Sequence, residues 1–327
     1  MQSSEIIWQP PANVTKQSEL AKFIDFVNKK DSLKIEMNYS EIWNWSVTNT
    51  SRFWDLVWDF TQIIGEKGPR IIQNENNFPG AKFFPDSNIN YAENLLRNPT
   101  DKIAIEEFGE SGTQKTLSRK ELKDKALRMA GWLRSKGVKK GDRVCAYMPN
   151  CSETIITMLA TTSLGGIFSS CSSDFGAAGV IDRFEQIEPK ILVAANGYFY
   201  NGKLIERTNE IETIAKSLST VEEIIIFNYV EEESNNRSFT NFETVYLSPP
   251  IEKFIRVNFN DPLYVVFSSG TTGKPKCIVH CIGGVLIQHA KEHKLHLDIK
   301  KKEKVFYFTT CGWMMWNWLV GSLFCES

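Results

Sequence analysis

From residue 101 onward, short apolar runs alternate with helix-periodic segments, and few folds accept that order. The runs fall at 143–148, near Ile167, and at 191–195, 223–227, 263–268 and 305–309. Amphipathic stretches lie between them. One is opened by Ser118 with Glu121 as a capping box and closed at Gly137. Another starts at Ser152, and others cover 180–187, 206–218 and 284–297. Strands that read as continuous apolar runs are buried on both faces, and a parallel neighbour requires a long crossover. The order therefore predicts an α/β fold with parallel sheets flanked by helices. Residues 1–100 read differently. Leu20, Phe23, Ile24 and Val27 share a helical face, as do Trp54, Val57 and Trp58. This predicts a helical N-terminal extension docked through its apolar stripes.

At 327 residues the chain exceeds what one hydrophobic core organises. The polar stretch 231–262 carries Glu231, Glu232, Glu233, Asn235, Asn236, Pro249 and Pro250, and reads as a boundary. Residues 101–230 are expected to form a first α/β subdomain, and 263–327 the start of a second. The balance of 38 basic against 39 acidic residues gives no electrostatic footprint for nucleic acid. No apolar stretch reaches membrane-spanning length, and the start lacks the basic head and apolar run of a signal peptide. Seven scattered cysteines predict free thiols in a reducing cytosol. No pattern specifies an oligomeric state.

The run at 263–268 leads into Ser268, Ser269, Gly270, Thr271, Thr272, Gly273, Lys274, Pro275 and Lys276. Glycine lets the backbone turn its N–H groups inward, serine and threonine add donors, and lysine adds charge. Such a loop suits a polyphosphate. It lacks the Walker spacing, and Pro275 keeps a helix from starting beneath the phosphates. On composition alone, a plain connecting loop stays open. His289 and His293, with His296 one turn on, resemble a helical metal pair but lack the Glu placement of a zinc protease. Cys277, His280 and Cys281 match no standard zinc spacing, so no metal site is expected.

The nine-residue string 268–276 resembles the signature of the adenylate-forming superfamily, which includes acyl-CoA synthetases, luciferases and peptide-synthetase adenylation domains. Further motifs follow in order: Phe78-Pro79-Gly80-Ala81-Lys82, Asn90-Tyr91-Ala92-Glu93-Asn94-Leu95-Leu96, Ser173-Asp174-Phe175-Gly176, Tyr200-Asn201-Gly202-Lys203 and Gly312-Trp313-Met314-Met315-Trp316-Asn317-Trp318. These are similar to the acetoacetyl-CoA synthetase family, with residues 83–88 interrupting the first and a tail that drifts after Leu319. The resemblance implies the large N-terminal domain of these enzymes, incomplete, with the small C-terminal domain absent. The family's ribose-contacting acid, hinge and late lysine are not among these residues. The chain alone is thus expected to lack acid-dependent ATP–pyrophosphate exchange, and to leave a sheet edge open and apolar surface exposed.

The reaction implied uses ATP, Mg2+, CoA and acetoacetate. A carboxylate attacks the α-phosphate to give an acyl-adenylate and pyrophosphate, and the CoA thiol then displaces AMP. A carboxylic acid of pKa about 4 is already ionised at neutral pH, so the first step needs positioning and charge cancellation, not a base or protein nucleophile. The resemblance sets Ser268, Ser269, Gly270, Thr271, Thr272 and Gly273 around the β- and γ-phosphates, with Lys276 and Thr271 as the catalytic pair. It sets Lys203 near CoA and makes Trp313, Met314 and Met315 the acyl-pocket wall. Asn317 is the nearest polar side chain to meet the ketone oxygen. By residue type alone, Lys203 is a solvated loop lysine and the Met/Trp stripe is core; a pocket wall is core with one face open. An acetate or medium-chain acid ligase, and a non-catalytic nucleotide-binding fragment, stay open.

Overall fold

The computed structural model describes residues 7–9, 11–112, 114–230, 239–268 and 273–327. A seven-stranded sheet forms its centre. In chain order the strands are β1 (Arg143–Met148), β2 (Ile167–Ser172), β3 (Ile191–Ala195), β4 (Glu223–Phe227), β5 (Thr240–Asn241), β6 (Pro262–Ser268) and β7 (Lys276–Cys281). Their spatial order is β5-β4-β3-β1-β2-β6-β7. Neighbours run parallel except β6 and β7, which are antiparallel. The chain moves from β1 to β2 on one side and returns to β3 on the other. The winding therefore reverses around β1, where open α/β sheets form a crevice beyond the strand ends.

Side chains alternate across the pleat with a period of two. Val144, Ala146 and Met148 join the core on one face, while Cys145 and Tyr147 join a second cluster on the other. Helices Arg119–Ser135 and Ser152–Ser163 cover the first face through Leu122, Met129, Ile156 and Leu159. Helices Ala177–Phe184 and Thr208–Ser217 cover the second through Val180, Phe184, Ile211 and Ile214. The capping box forms as read: Ser118 Oγ accepts from Glu121 N at 3.1 Å, and Glu121 Oε2 accepts from Ser118 N at 2.8 Å. Gly137 follows the helix at φ +75°, a left-handed conformation that glycine adopts without a Cβ clash.

The N-terminal extension is helical, with Glu19–Asp31, Tyr39–Thr48 and Thr50–Thr61. Phe23, Val27, Leu56 and Val57 are fully buried in the same core that fills the first face of the sheet. Trp58 seals the joint, its ring 5.0 Å from Phe84 and 6.3 Å from Phe259.

Several elements depart from the sequence reading. β6, placed by sequence at the start of a second subdomain, pairs with β2 within the one sheet. The sequence pattern gives no strand over 276–281, where β7 forms, and neither of two hairpins, Ile103–Phe108 with Gln114–Ser118 and Gly197–Tyr200 with Lys203–Glu206. The helix expected over 284–297 ends at Lys291 and widens into a π-turn, Glu292–His296. Residues 305–309, expected as a strand, have no ladder partner among the described residues, and Phe306 and Phe308 stand 84% and 92% exposed.

Candidate functional site

Of the segments singled out in the sequence, 268–276, 173–176, 200–203 and 312–318 follow the carboxyl ends of the parallel strands. Residues 90–96 lie instead toward their amino ends, where Asn90 Nδ2 donates to Thr162 O at 2.8 Å. β6 ends at Ser268, which pairs with Lys276 as β7 begins, so the two strands are the limbs of an antiparallel hairpin. Ser269, Gly270, Thr271 and Thr272 lie outside the described residues. Both limbs are described. Ser268 is half-buried, and Gly273 sits at φ +99°, a conformation that disfavours any side chain there. Lys274 Nζ is engaged by Glu185 at 3.4 Å. The Lys276 amine is exposed and meets no acid or acceptor among the described residues. Of the two lysines, Lys276 therefore carries the unspent charge.

β2 pairs with β6 in the register Tyr264 with Phe168 and Val265 with Ser169, which carried onward sets Ser172 level with Ser268. The turn beyond Ser172 is held from beneath. Tyr147 OH donates to Phe175 O at 2.6 Å, and Arg207 Nε donates to Ser173 O at 2.9 Å. Ser173 is 1% exposed, and its hydroxyl has no partner among the described residues.

The Gly312–Trp318 motif lies across the ends of β1 and β2. Cys311 Sγ donates to Met148 O at 2.9 Å, and Ser170 Oγ donates to Cys311 O at 2.6 Å. Asn150, just past β1, bridges the two sides of the motif. Its Oδ1 accepts from Trp316 Nε1 at 2.9 Å and its Nδ2 approaches Thr309 O at 3.4 Å. A Cβ on Gly312 would stand 3.3 Å from Ser172 N, so this backbone approaches β2 as closely as glycine permits. Helix Met314–Gly321 then turns Trp313 and Met314 outward, 60% and 42% exposed, with Met315 half-buried. Trp316 is fully buried, its ring 6.1 Å from that of Phe168. Behind it lies a cavity of about 900 Å³ lined in part by Ile105, Phe108, Asn150, Val305 and Tyr307.

Asn317 faces inward at 2% exposure. Its Nδ2 lies 3.5 Å from Trp313 O, and its Oδ1 has no partner among the described residues. Lys203 is exposed, opposite Tyr200 in the hairpin that follows β3, so it too rises from the carboxyl edge. The structure thus gathers Ser268, Gly273, Lys276, Lys203 and the 313–317 segment on one rim.

Among its described residues this rim has no activated nucleophile. Burial pushes the Cys171 thiol up to about 12 and raises those of Cys145 and Cys311, so all three stay protonated and inert. His289 and His293 are buried away from the loop, their rings 5.8 Å apart, and no metal-binding group of His, Cys, Asp or Glu occurs among the described residues. Asn150, Cys311 and Gln186 escaped the sequence reading. Only Asn150 had a signal, a polar residue immediately past a buried strand at the reversal point of the sheet.

A family model described as AMP-binding enzyme matches residues 91–325, and the chain belongs to that family. Among curated relatives, the acetoacetyl-coenzyme A synthetase of Rhizobium meliloti is 41% identical over 99% of this chain and 50% of its own length. The acetoacetyl-CoA synthetase of Xenopus tropicalis is 37% identical over 97% of this chain and 49% of its own. The solved structure of acetoacetyl-CoA synthetase from Streptomyces lividans superposes with a TM-score of 0.94 at 33% identity, covering 98% of this chain and 50% of that one. The chain spans about half the length of the relatives it matches. No helix among the described residues is long and apolar enough to cross a membrane.

Proposed function

We propose that this chain is the nucleotide- and acid-binding half of an AMP-forming acid–CoA ligase that activates acetoacetate: ATP, acetoacetate and CoA yield acetoacetyl-CoA, AMP and pyrophosphate. One observation carries the reading. The loop closed by Ser268 and Lys276, the turn after β2, and the Gly312–Asn317 segment converge on the rim where the sheet reverses. Among its described residues the rim offers the unpaired Lys276 and Lys203, a left-handed glycine, and thiols whose pKa values burial raises. This suits chemistry that aligns two anions and cancels their repulsion.

In this reading Ser268, Ser269, Gly270, Thr271, Thr272 and Gly273 wrap the triphosphate of magnesium–ATP. Lys276 supplies the cation, with Thr271 beside it. Trp313, Met314 and Met315 wall the acyl pocket, and the buried Asn317 offers its amide to the ketone oxygen. Lys203, free at the hairpin tip, approaches CoA. The seven unpaired cysteines fit a reducing compartment, the cytosol.

Calorimetry with MgATP tests the core of this. The folded chain should take up MgATP, and Lys276→Ala should weaken it roughly 10- to 100-fold, the range for losing one hydrogen bond from a charged group. No uptake by the folded wild-type chain would sink the reading. In a full-length protein that contains this chain and shows acid-dependent ATP–pyrophosphate exchange, a panel of acetoacetate, acetate, butyrate and octanoate then separates the acids.

A further inference from the structure

The outgoing limb of the loop is tied to a helix that the nucleotide reading does not use. Helix Ala177–Phe184 ends in a short 3-10 turn, Glu185–Ile187. From that turn Gln186 Nε2 donates to Pro275 O at 2.9 Å and to Asp182 O at 2.7 Å. Its Oε1 lies 3.7 Å from Cys277 Sγ, within reach of a weak S–H donor. One side chain thus grips the limb on both sides of Lys276.

The turn is itself fixed to the middle of the sheet. Arg143, the first residue of β1, donates from Nε to Ile187 O at 2.7 Å and from Nη2 to Glu188 O at 2.6 Å. This matters because β7 is an edge strand whose sole neighbour among the described residues is β6, and Ile278 and Val279 on it are 45% and 56% exposed. An edge strand alone holds a loop loosely. Through Gln186, the limb carrying Lys276 is referenced to β1. Pro275 is suited to this contact: it has no N–H of its own, and its carbonyl is presented outward to a side-chain donor. The neighbouring Lys274–Glu185 pair, both partners more than half exposed, adds little hold.

We propose that Gln186 is a positioning residue for the phosphate loop, setting where Lys276 stands relative to the sheet. This rests on the nucleotide reading above, so its test carries a readout that needs no nucleotide. Gln186→Ala should weaken MgATP binding roughly three- to tenfold, the equivalent of about one net hydrogen bond, while Lys274→Ala changes it less than about twofold. Amide exchange at 273–277 should accelerate in Gln186→Ala and stay unchanged at 143–148, with an unaltered melting temperature. Gln186→Glu keeps the side-chain length but cannot donate, and should behave like Gln186→Ala. Gln186→Lys restores a donor and should recover most of the affinity. MgATP uptake and exchange both unaffected by Gln186→Ala would overturn the role of Gln186 alone. No uptake by the wild-type chain would instead overturn the nucleotide reading and this role with it.

Discussion

Helix Met314–Gly321, which carries the proposed acyl-pocket segment, leans on two buried histidines, and that contact should make the protein sensitive to acid. His293 is fully buried with its ring 4.7 Å from Trp318, and neither ring nitrogen has a hydrogen-bond partner among the described residues. His289 is 7% exposed, and Gly321 packs so closely on it that a Cβ there would stand 2.4 Å from Nδ1. Burial holds His289 down to about 3, with His293 and His280 adding repulsion, and burial holds His293 down to about 4. The unfolded chain binds these protons near the ordinary value of about 6.5. Both folded pKa values are depressed, so the stabilisation is complete above about pH 6.5 and drains away as pH falls toward the folded values. At pH 5, about 1.5 units below the unfolded pKa, each histidine costs about 2 kcal/mol, or about 4 kcal/mol for the pair. The assay is urea unfolding at pH 7.5, 6 and 5 for the wild-type chain and for His289→Asn/His293→Asn. Subtracting one from the other cancels every other titrating group. The wild type should lose about 4 kcal/mol more than the variant between pH 7.5 and 5. Equal losses would mean that these histidines are solvated or protonated in the folded state, and the packing described here would be wrong.

Lys115 pairs with the buried carboxylate of Glu153, which is 1% exposed. Lys115→Ala strands that charge and should cost about 3–5 kcal/mol by chemical denaturation, whereas the double change to Lys115→Met/Glu153→Leu should recover most of it. Gly321→Ala drives a methyl group into the His289 ring and should cost about 1–3 kcal/mol, read as a lowered urea midpoint with an unchanged slope. In any form of the protein that shows exchange, Asn317→Leu should slow acetoacetate more than butyrate. The gap should correspond to about 1–3 kcal/mol, the cost of burying a ketone oxygen unpaired, and equal slowing would remove Asn317 from the acyl site.

The framework was legible because strands buried on both faces leave unbroken apolar runs. Arg143–Met148, Ile191–Ala195 and Glu223–Phe227 fall where the sequence puts them. β7 was missed because an edge strand need not be apolar throughout. Lys276, Cys277, His280 and Cys281 surround Ile278 and Val279, and the segment reads as the end of the Gly-rich loop. The run at 305–309 had the composition of a strand, but a strand is defined by its partner, and a sequence window does not contain one. The contacts that hold the rim together were illegible for the same reason. Gln186 meets Pro275 across 89 residues and Asn150 meets Trp316 across 166, distances at which no local periodicity carries information. The pair His289 and His293 posed the opposite problem. Its one-turn spacing resembles a ligand pair as well as a core face, and the burial of both rings against Trp318 and Gly321 could not be read from the spacing.

Chemistry by alignment puts a particular demand on such a fold. A hydrolase with a nucleophile and base can localise its function in two or three side chains whose pKa values betray them. In the proposed reaction the acid arrives ionised, so alignment of charges, not an activated nucleophile or base, is what the rim would have to supply. What must be accurate is the relation between the segments, because a misplacement of about 1 Å costs orders of magnitude in an alignment-driven reaction. That relation is fixed by side chains that need not touch the substrates. Asn150 and Cys311 nail the 311–317 segment to the ends of β1 and β2, and Arg207 and Tyr147 hold the turn after β2. On the other side, Gln186 and Arg143 reference the loop to β1. All these tethers lead to β1, β2 or the helix between β2 and β3, the strands flanking the reversal point. The rim is therefore assembled from one rigid origin, and substitutions at these tethers should separate positioning from contact more cleanly than substitutions in the loop itself.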